Sequence, residues 1–424
     1  MALSPHSRTA GRVALGGLLI VLVGLGLWQV SRYFLAEYHI KQAARALERQ
    51  RYRFALEGYQ KAAGYRQGSA ALHLQLARAA RRVGNLPMAR DHLLRCRELQ
   101  NGVSEEQQVE AYLVRAQSGE VDEVYRFLVP YLTEEGPFTT LVLEALVRAY
   151  MARYQADLAA RHIHRWLELE PDNVEAIFRR GTLYAQQQNT KGAAADYQRV
   201  LELDESRTEV RAPYAEILRV EKKFEEAAEQ YRLVLERLPQ DVTALVGLAL
   251  CYVEVGKADR AREQMLAVPE EDESADASYA RGLVEMRSNR PERAEPYLRR
   301  ALVRDRGHFD ACYNLMLCLT RLGRGEEAGT VKARLEQIEA DQKRLIAIST
   351  REMDASPSNP DLHCELGEIY QRLGHPERGA RWFRTALRHD PDCRRAHEGL
   401  RDYYDGLGPE GKERVDYHRR LAAH

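Results

Sequence analysis

Between residues 174 and 239 the apolar positions of the chain recur at a fixed step. Gly181 is matched by Ala215, Ala193 by Ala227, Tyr197 by Tyr231 and Val200 by Val234, each 34 residues further on. Within one step, small or apolar residues fall at positions 4, 7, 8 and 11, then at 20, 24 and 27. Both sets keep to one face of a helix. Gly or Asn often stands near position 15 or 16, where it can end the first helix at little steric cost. A constant period of this length predicts stacked helix-turn-helix pairs rather than one globular core.

Carried along the chain from residue 36, the same ruler predicts a repeat array over 36–338 with nine units, the third, from about 105, degenerate. The next matching segment starts 17 residues late. An apolar stripe of Val331, Leu335, Ile338, Leu345 and Ile348 predicts that one long helix absorbs the delay, with 339–359 as helical extension or linker. A tenth unit follows at 360–393, and 394–424 reads as a more charged capping helix pair.

Residues 13–30 carry no charge and lie between Arg12 and Arg32. With Tyr33 and Phe34 the run reaches the ~20 residues a helix needs to cross a bilayer. No small-x-small cleavage site follows it, so 13–34 is predicted to be an uncleaved single-pass anchor behind a short basic tail, 1–12. Orientation stays open. Arg32, Lys41, Arg45 and Arg49 after the span outnumber Arg8 and Arg12 before it, which favours a cytoplasmic array. A basic tail ahead of a lone span is also the ordinary signal-anchor arrangement, and long following domains translocate largely regardless of charge. The reading carried forward is an array on the non-cytoplasmic, periplasmic side.

The tenth unit shows the pattern most fully: Leu366-Gly367, Tyr370, Gly374, Phe383, Ala386 and Pro391, with Gly379 at an alanine position. This resembles the tetratricopeptide repeat (TPR) family. The resemblance implies an all-α, TPR-type solenoid, a right-handed superhelix of about ten repeats, here preceded by a single transmembrane helix. It further implies an inner wall of first helices that binds proteins or peptides. The chaperone-binding TPR subgroup holds a terminal carboxylate with Lys and Asn or Arg on successive first helices. The corresponding positions here pair Glu144 with Arg148, Phe178 with Thr182 and Ala212 with Glu216, so no such clamp is expected.

Composition removes several function classes. Lys plus Arg equals Asp plus Glu at 63 each, which gives no global field for nucleic acid. Arg78, Arg81 and Arg82 read as a solvated helix face. The 6 cysteines form no Cys-x-x-Cys pair, so neither a disulfide framework nor a zinc ribbon is expected. Cys312 and Cys318 diverge on one helix, while Cys393 and His397 share a face but supply two ligands where a metal needs three or four. No phosphate loop, nucleophile elbow or His-Glu-x-x-His pair occurs. We therefore expect no catalytic residues, no cofactor, no metal and no small-molecule substrate.

With the packing face fixed, the other side of each first helix should line the inner wall. In units seven to nine that side holds Val246, Leu250, Val253, Tyr279, Leu283, Met286, Tyr313 and Leu317, where other units place charges. Two readings stand: an open apolar groove for a partner segment, or a superhelix tight enough to bury these side chains in itself. The first makes the chain a membrane-anchored scaffold that assembles protein complexes. An accessory subunit of an envelope enzyme or export complex, as in polymer export or cytochrome maturation, is the alternative. An enzyme with an unrecognised site is the third.

Overall fold

The computed structural model describes residues 5–66, 68–100 and 102–422, with side chains from residue 26 onward, 410 excepted. Among them there are helices and turns and no strand. The chain divides into two compact units, Met1–Ala149 and Tyr150–His424.

One backbone device sets the repeat. A residue with positive φ ends the first helix of successive pairs: Gln50, Gly84, Gly119, Tyr154, Gln188, Lys222, Gly256, Asn289, Gly323, Gly374 and Gly408. The next N–H then reaches back over the turn, as from Asn189 to the Tyr184 carbonyl, Lys223 to Leu218 and His375 to Tyr370, each at 2.8 Å. That bond satisfies a helix-end carbonyl and reverses the chain into the second helix. The entry to the first helix is periodic too. Ser69, Ser104, Asn173, Asp241, Ser274 and Asn359 each accept a backbone N–H of the helix they precede.

In the first unit, the helix Pro5–Glu48 ends as the first helix of a pair. Ala43 packs so closely on Gly58, in the helix Tyr52–Tyr65, that a Cβ on Gly58 would come within 2.9 Å of it. The helices Ala70–Val83 and Leu86–Glu98 form the next pair. In the degenerate third, Glu105–Arg115 and Val121–Leu128 meet at Gly119, whose φ of 102° breaks the helix there.

The second unit stacks further pairs around buried aromatic or apolar residues on the second helices, Ile163, Tyr197, Tyr231, Met265, Leu298 and Phe383. After Gly323 the next left-handed turn is delayed to Gly374. The intervening chain is the helix Gly325–Ala347, which runs through a wider turn at Ile348–Glu352 into Met353–Ala355. Arg344 on this helix grips both Glu352 and Glu365. The stack then comes back on its own beginning. Tyr154 meets Tyr370 through their hydroxyls and packs its ring 5.6 Å from Trp382. The Asp157 N–H reaches the Asp354 carboxylate at 3.2 and 3.3 Å.

Residues 13–25 of the expected anchor lie outside the residues whose side chains are described. Among the described residues no helix is long and apolar enough to cross a membrane.

Candidate partner-binding surface

The helices expected to line a groove are Val242–Glu254, Ala275–Arg287 and Phe309–Arg321. Their side chains are not laid out as an open wall. Val246, Val253, Tyr279, Leu283 and Met286 are buried, and Leu250 and Leu317 are half-buried. Of the eight, Tyr313 is exposed, at 43%. The expectation of an open apolar groove is therefore corrected in favour of the self-buried reading. All but Tyr313 belong to or pack on one buried cluster that also takes in Leu362, Leu366, Ile369, Tyr370, Leu373 and Trp382. The physical reason is the packing of successive first helices on one another: Val242–Glu254 lies against Ala275–Arg287, which lies against Phe309–Arg321, and a helix apolar on every side must be enclosed. What stays accessible is Tyr313 itself, on the helix Phe309–Arg321.

The first unit holds a polar core that the sequence pattern did not show. Arg81, expected on a solvated face, is fully buried and donates from Nε to Glu110 at 2.5 Å; Glu110 is 1% exposed. One residue on, Arg82 donates to Glu144 at 2.9 Å, and Arg148 approaches the same carboxylate at 3.4 Å. The guanidinium groups of Arg82 and Arg148 both lie over the Tyr52 ring, at 5.2 and 5.8 Å. Burial alone would raise the Glu144 pKa, but Arg82, Arg81 and Arg148 overrule it and hold the carboxyl at about 2. Nη1 and Nη2 of Arg81 are buried without a hydrogen-bond partner. The spacing of Glu144 and Arg148 showed only that they share a helix face. Their partners 62 and 66 residues away were not in the pattern.

The cysteines are free thiols, and two of them meet. Cys364 and Cys393 are brought together with Sγ atoms 3.4 Å apart, both buried. His397, which shares a helix with Cys393 in the sequence reading, turns elsewhere. It donates from Nε2 to the Pro391 carbonyl and accepts at Nδ1 from His418, each at 2.9 Å. Among the described residues no three His, Cys, Asp or Glu are placed to hold a metal ion.

Models of the tetratricopeptide repeat match residues 144–208, 218–284, 279–341 and 360–393, together more than half of the chain. The chain belongs to the tetratricopeptide repeat family. Among the solved structures, three are similar to it over part of its length. A tetratricopeptide repeat protein from Parabacteroides merdae is 19% identical, covering 67% of this chain and 99% of its own, with a TM-score of 0.36. PilW, a type IV pilus biogenesis factor, is 17% identical over 48% of this chain and 94% of its own, TM-score 0.41. The human IFIT1 dimer with m7Gppp-AAAA is 15% identical over 84% and 91%, TM-score 0.42. No curated protein matches the chain.

Proposed function

We propose that this TPR chain is a membrane-tethered scaffold that holds a protein or peptide segment beside the bilayer. Family membership supports a protein partner, because stacked helix pairs present long surfaces and few sites for small molecules. The tether rests on one observation. On the helix Pro5–Glu48, Leu27, Trp28, Val30, Tyr33, Phe34 and Leu35 all stand exposed, between 40% and 67%. Large apolar side chains so exposed among the described residues mark a surface that another phase or molecule covers. Trp28 and Tyr33 also suit the bilayer interface, with the Arg32 guanidinium 4.6 Å from the Trp28 ring centroid.

The array joins this helix directly. Arg32 donates to the carbonyls of Gly64 and Tyr65, both at 3.1 Å, and Arg66 pairs with Glu37 at 3.0 Å. A tether so fixed to the first repeat would raise the local concentration of any partner at the membrane, so that modest affinity suffices. The test is fractionation of cells expressing the full chain with a C-terminal tag. The expected result is a protein that stays in the pellet through an alkaline carbonate wash, with the tag inaccessible to cytoplasmic protease. Release into the wash would overturn the tether.

A further inference from the structure

Cys393 departs from the repeat in a way that its register makes visible. It occupies the position just before a first helix, where Ser69, Ser104, Asn173, Asp241, Ser274 and Asn359 cap the helix with a side-chain acceptor. Cys393 makes no such bond to the helix Arg394–Asp405. Arg207 before Thr208–Val220 makes no cap either, but the side chain of Cys393 has a neighbour of its own kind. Its thiol faces that of Cys364, which sits one repeat earlier on the helix Pro360–Arg372. Other thiols with a partner behave differently: Cys96 points at the Gln100 side-chain oxygen, and Cys312 and Cys318 at the carbonyls of Val331 and Pro291.

We propose that Cys364 and Cys393 are a disulfide-forming pair that clasps the last repeat to the terminal helices. A sulfur–sulfur separation of 3.4 Å is a contact. Side-chain rotation can shorten it to the ~2.05 Å of a bond while both helices stay in place. Two thiols with no third ligand among the described residues fall short of a zinc site, which leaves the pair its redox chemistry. The bond forms by exchange. One cysteine, as thiolate, attacks a sulfur of an external disulfide, either oxidised glutathione or a protein disulfide, and one thiolate leaves. The second cysteine then displaces the remaining half. Two protons and two electrons pass from the pair, and the external disulfide ends as two thiols.

Burial sets the timing. Both sulfurs lie in a closed apolar cluster with Phe383, Ala396 and Leu400, and burial pushes the Cys364 thiol up, so the folded protein offers little thiolate. Exchange therefore belongs to folding, before the terminal helices dock, and the finished bond is shielded from reductants.

The test refolds the full chain from denaturant in a mixture of reduced and oxidised glutathione, then alkylates it and digests it. One cross-linked peptide joining Cys364 to Cys393 is expected, with the other four cysteines alkylated. Reducing that protein should lower its unfolding midpoint by roughly 5 °C. Cys393→Ser restores a capping residue and so should fold, but show no difference between oxidised and reduced samples. Six alkylated cysteines, or bridges to other partners, would overturn the proposal, as would a Cys364–Cys393 bond whose reduction leaves the midpoint unchanged.

Discussion

The hydroxyl oxygens of Tyr154 and Tyr370, 216 residues apart in sequence, lie 2.5 Å from each other. This is one of the contacts through which the second unit returns on itself, and Tyr154 carries it from an unfavourable backbone. Its φ is +56°, a left-handed conformation that bulky side chains rarely adopt. Removing either hydroxyl leaves the other part-buried and unpaired. Tyr154→Phe and Tyr370→Phe should each cost about 1 kcal/mol, and the double variant less than the sum. A double-mutant cycle by urea denaturation measures the coupling; strict additivity would mean that the hydroxyls do not interact.

Lys222 sits at the equivalent turn two repeats later, also left-handed at φ +61°, with its side chain exposed. Nothing there compensates the conformation. Lys222→Gly should stabilise the chain by about 0.5–1 kcal/mol, because glycine enters this region without steric cost. Tyr154→Gly should destabilise it, since the same relief is outweighed by loss of the contacts to Tyr370 and Trp382. Opposite signs in the two midpoints are the expected readout.

These turns also show what the sequence made legible. The step from Gly181 to Ala215 located the helix pairs, because each pair must bury the same face against its neighbours. It did not reveal that Tyr154, Gln188 and Lys222 would take a glycine-like conformation, since the turn is imposed by helix packing and not by local preference. Nor did it reveal that Leu283 is enclosed. Periodicity reports which face a residue occupies, whereas enclosure depends on how closely successive first helices approach one another, which no local window contains. Arg81 was misread for the same reason: its partner, Glu110, lies 29 residues away.

Glu144 makes the first unit sensitive to strong acid. Its folded carboxyl titrates at about 2, below the ordinary 4.5, because three arginines surround it. The stabilisation is present above about pH 4.5 and is lost as pH falls from there towards 2. Glu144→Gln removes the charge and leaves Arg82 and Arg148 facing a neutral group in a buried site. The expected cost is about 3 kcal/mol at pH 7. Hydrogen exchange across the helix Thr139–Ala152 should rise in this variant, and the acid dependence of the remaining protection should flatten.

Histidines give the second unit a second window. His162, His363 and His418 are each held at about 4 by burial, reinforced by Arg161 beside His162, by His389, Arg153 and Arg388 around His363, and by His397, Arg384 and Arg414 around His418. Unfolded, each takes up a proton near 6.5. Folding therefore excludes protons, and stability is complete above pH 6.5 and declines as pH falls towards 4. Midpoints measured from pH 7.5 to 4.5 should drop steadily below 6.5. His162→Phe, which preserves a ring stacked on Tyr150, should make that slope shallower.

Leu283 and Tyr313 separate the enclosed wall from the accessible one. Leu283 is 5% exposed and belongs to the cluster that spans Leu245 to Trp382. Tyr313, on the next first helix, is 43% exposed. Leu283→Asp places a carboxylate inside that apolar cluster, a change that costs more than about 3 kcal/mol. The full chain carrying it should lose its cooperative transition or unfold far earlier. Tyr313→Asp should leave the circular dichroism spectrum and the midpoint nearly unchanged. A folded Leu283→Asp chain with an unchanged midpoint would restore the open groove.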